Sequence, residues 1–508
     1  MIDGISQRLL DQTRPLRIHL LGVAGSGMSG LAALLLEMGH DVSGSDRVSS
    51  GETERLQGIG LKFSSPHSAD SVSGVEAVVY SSAIKSDNVA LVEAGRSGVP
   101  CLRRAECLAA ILDTRKGVVV AGTHGKTTTS AMCTHILNNG GGKVSHYVGA
   151  EIPVLGANAH WEVDSDYFVA EGDESDGTLG LYQPSHAIVL NIEEEHLDYY
   201  KDLEEIVKVF GKLLERTTER IIYCREDPVA GELCRKYREA ISYGWKESDF
   251  TASNVVEGRG VTSFTVFRRG EEMGRVELGI PGRHNVLNAL AAIALADDLE
   301  VDFNHVTRAL SSFAGAKRRF ESVYLSSRFH VVDDYGHHPT EIAATLQTAR
   351  SLEPGRIVTL FQPHRYSRTE RLAEEFGKAL QGADLVFVTG IYAASESPIK
   401  GISGMTILEA VERQGSTKCV YHEDLETVHH VVGNALRSGD LLLTLGAGNV
   451  HEAGKRISDD LQLIDALESE FAESEMEVRL YESMRRHTTI LVGGPAQFWI
   501  EPRTFGAF

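Results

Sequence analysis

The run Ala121-Gly122-Thr123-His124-Gly125-Lys126-Thr127-Thr128-Thr129 lies between an apolar, β-branched stretch, Gly117-Val118-Val119-Val120, and a helix-like stretch, Ser130 to Leu137. That order is strand, glycine loop, helix. A glycine loop placed there turns backbone N–H groups toward a phosphate, and the helix N-terminus adds the positive end of its dipole. Lys126 supplies a point charge for β- and γ-phosphates, and Thr127 a hydroxyl for Mg²⁺. Gly122 and Gly125 are separated by two residues, a tighter spacing than the common G-x-x-x-x-G-K-S/T loop.

The rest of the chain repeats this alternation. Leu16 to Leu21 reads as a strand, Ser29 to Met38 as a helix, Asp41 to Asp46 as a second strand and Val75 to Tyr80 as a third. Such alternation implies a parallel, doubly wound sheet, so the fold class is α/β. Gly22, Gly25, Gly27 and Gly30 fill the first strand–helix turn. They suit close approach of a pyrophosphate, with Asp46 placed to hold a ribose, or else a plain packing turn. Further strands, Tyr167 to Ala170 and Ala187 to Leu190, end in the polar clusters Glu171 to Asp176 and Asn191 to His196. Residues 248–280 look antiparallel, and Pro281 to Asn285 leads into an Ala/Leu-rich helix, Val286 to Asp297. A third α/β unit begins near residue 321, with strands at Phe329 to Val332, Arg356 to Leu360, Leu385 to Val388 and Leu441 to Thr444. Residues 452–482 look helical and acidic.

A length of 508 residues suits about three domains. The net charge of −21 argues against nucleic-acid or anionic-membrane partners, whose footprints are basic. No secretory signal is read at the N-terminus, and no apolar run reaches the ~18 residues of a membrane span. Six scattered cysteines without a C-x-x-C pair read as free thiols of a reducing compartment, so the cytoplasm is the expected location.

Mg²⁺ takes oxygen ligands, which Thr127 and Glu171 can supply; His196 can bind a second metal or orient a water. Asp173, Glu174 and Asp176 read equally as solvated surface acids. Arg318-Arg319 and His364-Arg365-Tyr366-Ser367-Arg368 offer guanidinium forks for phosphate or carboxylate, or are surface basic patches. His284 and Asn288, four apart at a helix start, suit adenine recognition, while Asn285 can cap that helix. Asp333 to Pro339 can hold a small amino acid, its ammonium group or a metal. No cysteine or H-E-x-x-H pattern supports a paired-histidine zinc site there.

These motifs together resemble the Mur ligases, ATP-dependent amide-bond-forming enzymes of peptidoglycan synthesis, and within them the branch that joins L-alanine to UDP-N-acetylmuramate. The resemblance covers residues 16–465 and is carried by Gly22 to Gly30, Ser81 to Ile84, the phosphate loop, Glu171 to Asp176, Asn191 to Asp198, Pro281 to Asn288, Asp333 to Glu341, Phe361 to Thr369 and Gly446 to Asn449. It implies a Rossmann-like UDP-binding domain (1–113), a central P-loop ATPase domain (114–320) and a C-terminal Rossmann-like domain that carries the amino acid and closes on the others (321–466). It assigns Gly25, Gly27, Met28, Ser45, Asp46, His67 and Ser82 to the UDP substrate, with His67 as a nucleoside contact. It gives ATP the residues Gly122, Thr123, His124, Gly125, Lys126, Thr127, Thr128, His284, Asn288 and Arg319. Lys126, Glu171 and His196 are the implied catalytic groups; Thr127, Glu171 and His196 would hold Mg²⁺, two ions being expected. Tyr335, His337, His364, Arg365 and Arg368 match amino-acid and third-domain substrate contacts. Gly172 departs from the family pattern, where alanine is expected. The implied chemistry is acyl-phosphate ligation. One rival is the recycling ligase, which adds a preformed tripeptide to the same sugar nucleotide. Another, of a different class, is a nucleotide-dependent binding or regulatory protein that hydrolyses ATP without ligation.

Residues 467–508 fit nothing in that family. Arg485 to Ala496 resembles the start of the UDP-N-acetylenolpyruvoylglucosamine reductases, which are flavoenzymes. A ligase fused to a reductase is the expectation, with too little of the second domain in this chain to bind flavin.

Overall fold

The structure, a computed structural model, describes residues 14–471 except 197, 198, 259 and 395, with side chains to residue 466. The reductase-like stretch lies outside the described residues, as does Asp198.

Every residue of β6 (Lys116–Ala121) after the first is buried. A strand can be apolar throughout only where helices cover both faces of its sheet. Val118 and Val120 pack with Met132 and Ile136 of the helix Lys126–Asn139 and with Leu290 and Ile293 of the helix Arg283–Asp298. Val119 and Ala121 face the other way, toward Phe210 and Leu213 of the helix Leu203–Arg216.

β6 sits inside the second of three sheets. The first contains β1 (Arg17–Leu21), β2 (Asp41–Ser45), β3 (Lys62–Ser64), β4 (Ala77–Tyr80) and β5 (Cys101–Arg103), all parallel in the order β3-β2-β1-β4-β5. The second adds β7 (Val144–Tyr147), β8 (Ala159–His160), β9 (Tyr167–Glu171), β10 (His186–Val189), β11 (Arg220–Cys224), β12 (Ile241–Gly244), β13 (Phe250–Glu257), β14 (Thr262–Arg268) and β15 (Glu271–Leu278). Its order is β15-β14-β13-β12-β11-β10-β6-β9-β7-β8, and β14 and β15 form the antiparallel hairpin expected between residues 248 and 280. The third comprises β16 (Glu321–Leu325), β17 (Phe329–Asp334), β18 (Arg356–Phe361), β19 (Leu385–Val388), β20 (Lys418–Tyr421) and β21 (Asp440–Leu445) in the order β16-β17-β21-β18-β19-β20.

The first two sheets belong to one unit, which ends at Ala316; the third belongs to a second unit, which starts at Lys317 and also takes in residues 257 and 258. In the first unit, Leu31 and Leu35 share a hydrophobic cluster with Trp161 and Phe168, so its two sheets have a common core. The second unit has its own core on both faces of its sheet, with Val332 and Leu443 on one side and Val331 and Leu442 on the other. Its long last helix, Val450–Phe471, agrees with the helical reading of that stretch as far as the described residues go.

Two sequence expectations shift. The strand Val75 to Tyr80 is the fourth, because three-residue β3 precedes it; an edge strand with exposed Lys62 and Ser64 leaves no apolar run to detect. Two helices begin earlier than read, at Ser26 and Lys126, because glycines at their N-caps cost nothing in turn geometry.

Candidate functional site

Gly122 and Gly125 have φ values of +155° and +85°. A β-carbon on Gly122 would stand 2.9 Å from Leu190 Cβ, and one on Gly125 would stand 2.7 Å from Asn288 Oδ1. Both positions therefore demand glycine, and the backbone is left bare where a phosphate would approach. Gly125 is the N-cap of the helix Lys126–Asn139 and offers no side-chain cap, so the first-turn N–H groups stay open. Asn191, just past β10, clamps the loop: its Oδ1 accepts from His124 N at 2.7 Å and its Nδ2 donates to His124 O at 3.0 Å. Thr123 Oγ1 accepts from Glu193 N at 2.9 Å.

Lys126 turns back over the loop. Its Nζ donates to the carbonyls of Gly122 and Thr123 and, at 3.0 Å, to Glu174 Oε1. Burial acts to lower its pKa, but Glu174, Glu171 and Asp173 outweigh that and hold it above the ordinary value. Glu174 is 2% exposed and is no solvated surface acid; its Oε2 has no hydrogen-bond partner among the described residues. His196 Nε2 lies 3.5 Å from Glu174 Oε1 and 3.6 Å from Glu195 Oε2. Burial works against its protonation, yet Glu174 and Glu195 raise its pKa.

Beside this pair, Thr127 Oγ1 donates to Glu171 at 2.9 and 3.1 Å, and Glu171 Oε2 accepts from Gly149 N at 2.6 Å. A hydroxyl and a carboxylate next to the phosphate loop form a hard oxygen donor set, which fits Mg²⁺. The carboxyl ends of β6, β9 and β10 thus bring together Lys126, Thr127, Glu171, Glu174 and His196. Asp173 points elsewhere, 2.5 Å from Arg104 Nη2, and is held below the ordinary carboxylate range: burial raises it, but Arg104 and Ser175 prevail. Asp176 accepts from Thr178 N at 3.1 Å, an ordinary turn contact.

The glycine turn of the first sheet is tied to the second. Tyr147 O–H donates to Gly27 O at 2.8 Å, and Arg104 Nη1 donates to Tyr147 at 3.3 Å. A β-carbon on Gly27 would come within 2.3 Å of Arg104 Nη1. Asp46 Oδ2 accepts from Ala24 N at 2.9 Å and so holds the turn itself. Met28, in the first turn of the helix Ser26–Glu37, is 2% exposed. Ser45 is buried with its hydroxyl 2.8 Å from His67 Nδ1, and Ser82 is exposed just past β4.

On the helix Arg283–Asp298, His284 is exposed and Asn288 is buried beside Gly125. Asn285 does not cap this helix: its Nδ2 donates backward to Pro281 O at 2.7 Å, and the N-cap is Gly282. Arg283 lies over the Trp245 ring at 4.4 Å, a flat surface that no local motif announces.

In the second unit the predicted residues gather at the carboxyl ends of β17 and β18. The rings of Tyr335 and His337 are 5.4 Å apart, and those of His337 and His364 are 5.5 Å apart. Arg368 Nη1 is 3.3 Å from His364 Nδ1, Arg365 Nη1 is 3.9 Å from Glu396, and Arg319 lies over Tyr335 at 5.2 Å. Arg318 is committed to structure, donating to Asp333 and to the carbonyls of Gly446 and Gly448.

Three family models match in succession: "Mur ligase family, catalytic domain" over residues 17–116, "Mur ligase middle domain" over 120–296 and "Mur ligase, glutamate ligase domain" over 318–448. The UDP-N-acetylmuramate–L-alanine ligase of Desulforamulus reducens is 41% identical over 458 residues, covering 89% of this chain and 99% of its own. The chain belongs to the Mur ligase family. The corresponding ligase of Pelotomaculum thermopropionicum is 39% identical over 455 residues, 88% of this chain and 98% of its own. The crystal structure of the UDP-N-acetylmuramate–alanine ligase of Thermotoga maritima superposes with a TM-score of 0.76 at 30% identity, over 88% of this chain and 99% of that one.

Within this Mur ligase, the structure places the loop, Glu171 and His196, which the sequence singled out, beside Glu174, which read equally as a surface acid, and nothing in the sequence marked Arg104, Tyr147, Gly149 and Trp245 as neighbours. Glu174 could have been suspected from its place in a run directly after a buried strand. The other four become neighbours of the site only through the packing of separate elements. The departure at Gly172 also has a local reason: an alanine β-carbon would lie 2.7 Å from Leu179 Cδ1 and 2.8 Å from Val119 Cγ1.

Proposed function

We infer that this chain joins L-alanine to the carboxylate of UDP-N-acetylmuramate and converts ATP to ADP and phosphate. The observation that carries this is identity of about 40% to alanine-adding ligases along nearly their whole length. The arrangement around the phosphate loop supports it. Backbone N–H groups from Gly122 to Thr128 cradle the triphosphate, and Lys126 exchanges its loop carbonyls for the γ-phosphate. Its raised pKa keeps it charged for the transfer, when negative charge spreads over the phosphoryl oxygens. Thr127 and Glu171 would hold Mg²⁺, with His196 toward a second ion; the metal supplies charge neutralisation of the phosphates. The muramate carboxylate attacks the γ-phosphorus as the bond to the β-phosphate breaks and ADP leaves; the alanine amine then attacks the resulting acyl phosphate, its C–O bond breaks, phosphate leaves and the amine gives up a proton.

The remaining assignments belong to the same reading. His284 and Asn288 contact the adenine of ATP, Asn288 with the support of abutting Gly125, and Arg319 is a further ATP-binding residue. Gly25, Gly27, Met28, Ser45, Asp46, His67 and Ser82 serve the UDP-sugar. Tyr335, His337, His364, Arg365 and Arg368, clustered in the second unit, serve the amino acid and sugar substrates. The domains are read as 1–113, 114–320 and 321–466. Residues 467–508 are read as the opening of a fused reductase domain, on the likeness of Arg485 to Ala496 alone. A cytoplasmic location rests on six cysteines outside any disulfide; no helix among the described residues is long and apolar enough to cross a membrane.

The test is phosphate release from ATP with Mg²⁺ and UDP-N-acetylmuramate, comparing L-alanine, other amino acids and the recycled tripeptide. Release that depends on L-alanine supports the reading. Dependence on the tripeptide would assign the recycling reaction, and release without any amine would make the chain an ATPase.

A further inference from the structure

His19 lies in the middle of β1, 1% exposed, and pairs in register with Ser43 of β2. Its Nδ1 is 2.8 Å from Ser43 Oγ and its Nε2 is 3.0 Å from Ser45 Oγ. Ser45 Oγ is in turn 2.8 Å from His67 Nδ1, which stands in the loop after β3. Three side chains thus connect the floor of the first sheet to its carboxyl edge. Burial, helped by the neighbouring His67, lowers the His19 pKa to about 4, so the ring is neutral at pH 7.

A neutral imidazole has one N–H and one lone pair. Ser43 Oγ stands 3.4 Å from Ile18 O; with its hydroxyl donating to that carbonyl it accepts from His19. On that assignment His19 would carry its proton on Nδ1, and its Nε2 would accept from Ser45 O–H. With its own proton spent, the Ser45 oxygen accepts from His67 Nδ1–H. Burial also holds the His67 pKa below its ordinary value, Asp46 opposing and Arg47 assisting. A neutral His67 protonated on Nδ1 presents a lone pair at Nε2, and that nitrogen has no hydrogen bond among the described residues.

The strand order says what this lone pair meets. β1 ends in the glycine turn, β2 beside it ends at Ser45 and Asp46, and His67 follows β3, next out from the switch point. A nucleoside diphosphate with its phosphates on the turn lays ribose near Asp46 and base near His67. We propose that His19 is a positioning residue for nucleobase choice: through Ser45 it fixes His67 as a hydrogen-bond acceptor at Nε2, matched to the N3–H of uracil and mismatched to cytosine, whose N3 is itself an acceptor. This rests on reading the first domain as the UDP-sugar site.

Two measurements test it. Nitrogen-15 spectra of the full chain labelled at histidine report the tautomers of His19 and His67 without any substitution. Both rings protonated on Nδ1 is the expected result, and His67 protonated on Nε2 overturns the inference. Calorimetric titration with UDP, CDP and N3-methyl-UDP then reads base selection. The wild-type chain binds UDP about tenfold or more tighter than either analogue, the worth of one hydrogen bond with its mismatch penalty. His19→Phe weakens UDP toward the CDP value and leaves CDP unchanged, and His19→Gln restores part of the preference. Equal loss of UDP and CDP affinity in His19→Phe, or no preference in the wild-type chain, overturns the inference. If His19→Phe fails to fold, the tautomers and wild-type preference still decide. Absence of any UDP binding by the wild-type chain strikes instead at the UDP reading of the domain, whatever the tautomers.

Discussion

Replacing Lys126 by methionine separates what this lysine does for the fold from what it does for the reaction. Its ammonium is 3.0 Å from the carboxylate of Glu174, whose side chain is only 3% exposed. At an effective dielectric constant of about 20, two unit charges at that distance attract by roughly 5 kcal/mol before desolvation is subtracted. Removing one partner of a buried pair costs about 3–5 kcal/mol, because the other charge is stranded. His196 Nε2 remains 3.5 Å from Glu174 and compensates in part, which places the cost of Lys126→Met at about 3 kcal/mol. Lys126→Met/Glu174→Gln leaves no stranded charge and should recover most of that loss in urea unfolding followed by circular dichroism. Turnover should behave differently. Phosphate release should fall by about 10²–10³-fold in the single variant and stay down in the double variant, because the transferring phosphoryl group loses its cation in both. Recovery of turnover along with stability would show that Lys126 acts only through the fold, and the proposed chemistry of the loop would fall.

Gly125→Ala forces a β-carbon to within 2.7 Å of Asn288 Oδ1 at a φ of +85°; the strain of roughly 1–2 kcal/mol should weaken ADP binding at least several-fold by titration, and unchanged affinity would contradict the loop geometry. Burial, opposed by Arg319, pushes the Asp334 carboxyl up to about 6 from 3.8. The folded state thus favours its protonated form, and its contribution to stability is full below pH 3.8 and lost as pH rises through 6. A carbon-13 titration midpoint of Asp334 near 4 would refute this. Ending the chain near residue 470 should leave alanine ligation intact, and loss of activity in a folded shortened chain would show that the tail belongs to the ligase.

Much of this architecture is legible in the sequence because parallel strands covered on both faces announce themselves as apolar runs. Val118 to Val120, Ile188 to Leu190 and Leu441 to Leu443 were readable for that reason, and each fixes a carboxyl end at which polar residues collect. Phosphate-loop chemistry is local in sequence and equally visible. Short edge strands such as β3 carry no such run. Contacts made between elements are invisible for a different reason: Arg104 reaches Asp173 across 69 positions and His19 reaches Ser45 across 26. Charge type alone could not separate Glu174, buried against Lys126, from Asp176, which merely holds a turn. Only depth distinguishes them, and depth comes with Lys126, which donates to the Glu174 carboxylate, and Tyr200, whose hydroxyl donates to the Glu174 backbone carbonyl.

The ligation itself can be tested with oxygen-18 in both carboxylate oxygens of UDP-N-acetylmuramate. Attack of that carboxylate on ATP, followed by attack of L-alanine on the acyl phosphate, sends one labelled oxygen into the released phosphate and keeps the other in the new amide. The account predicts phosphate that carries one oxygen-18 and forms only when L-alanine is present. Unlabelled phosphate would mean that water, and not the muramate carboxylate, takes the phosphoryl group.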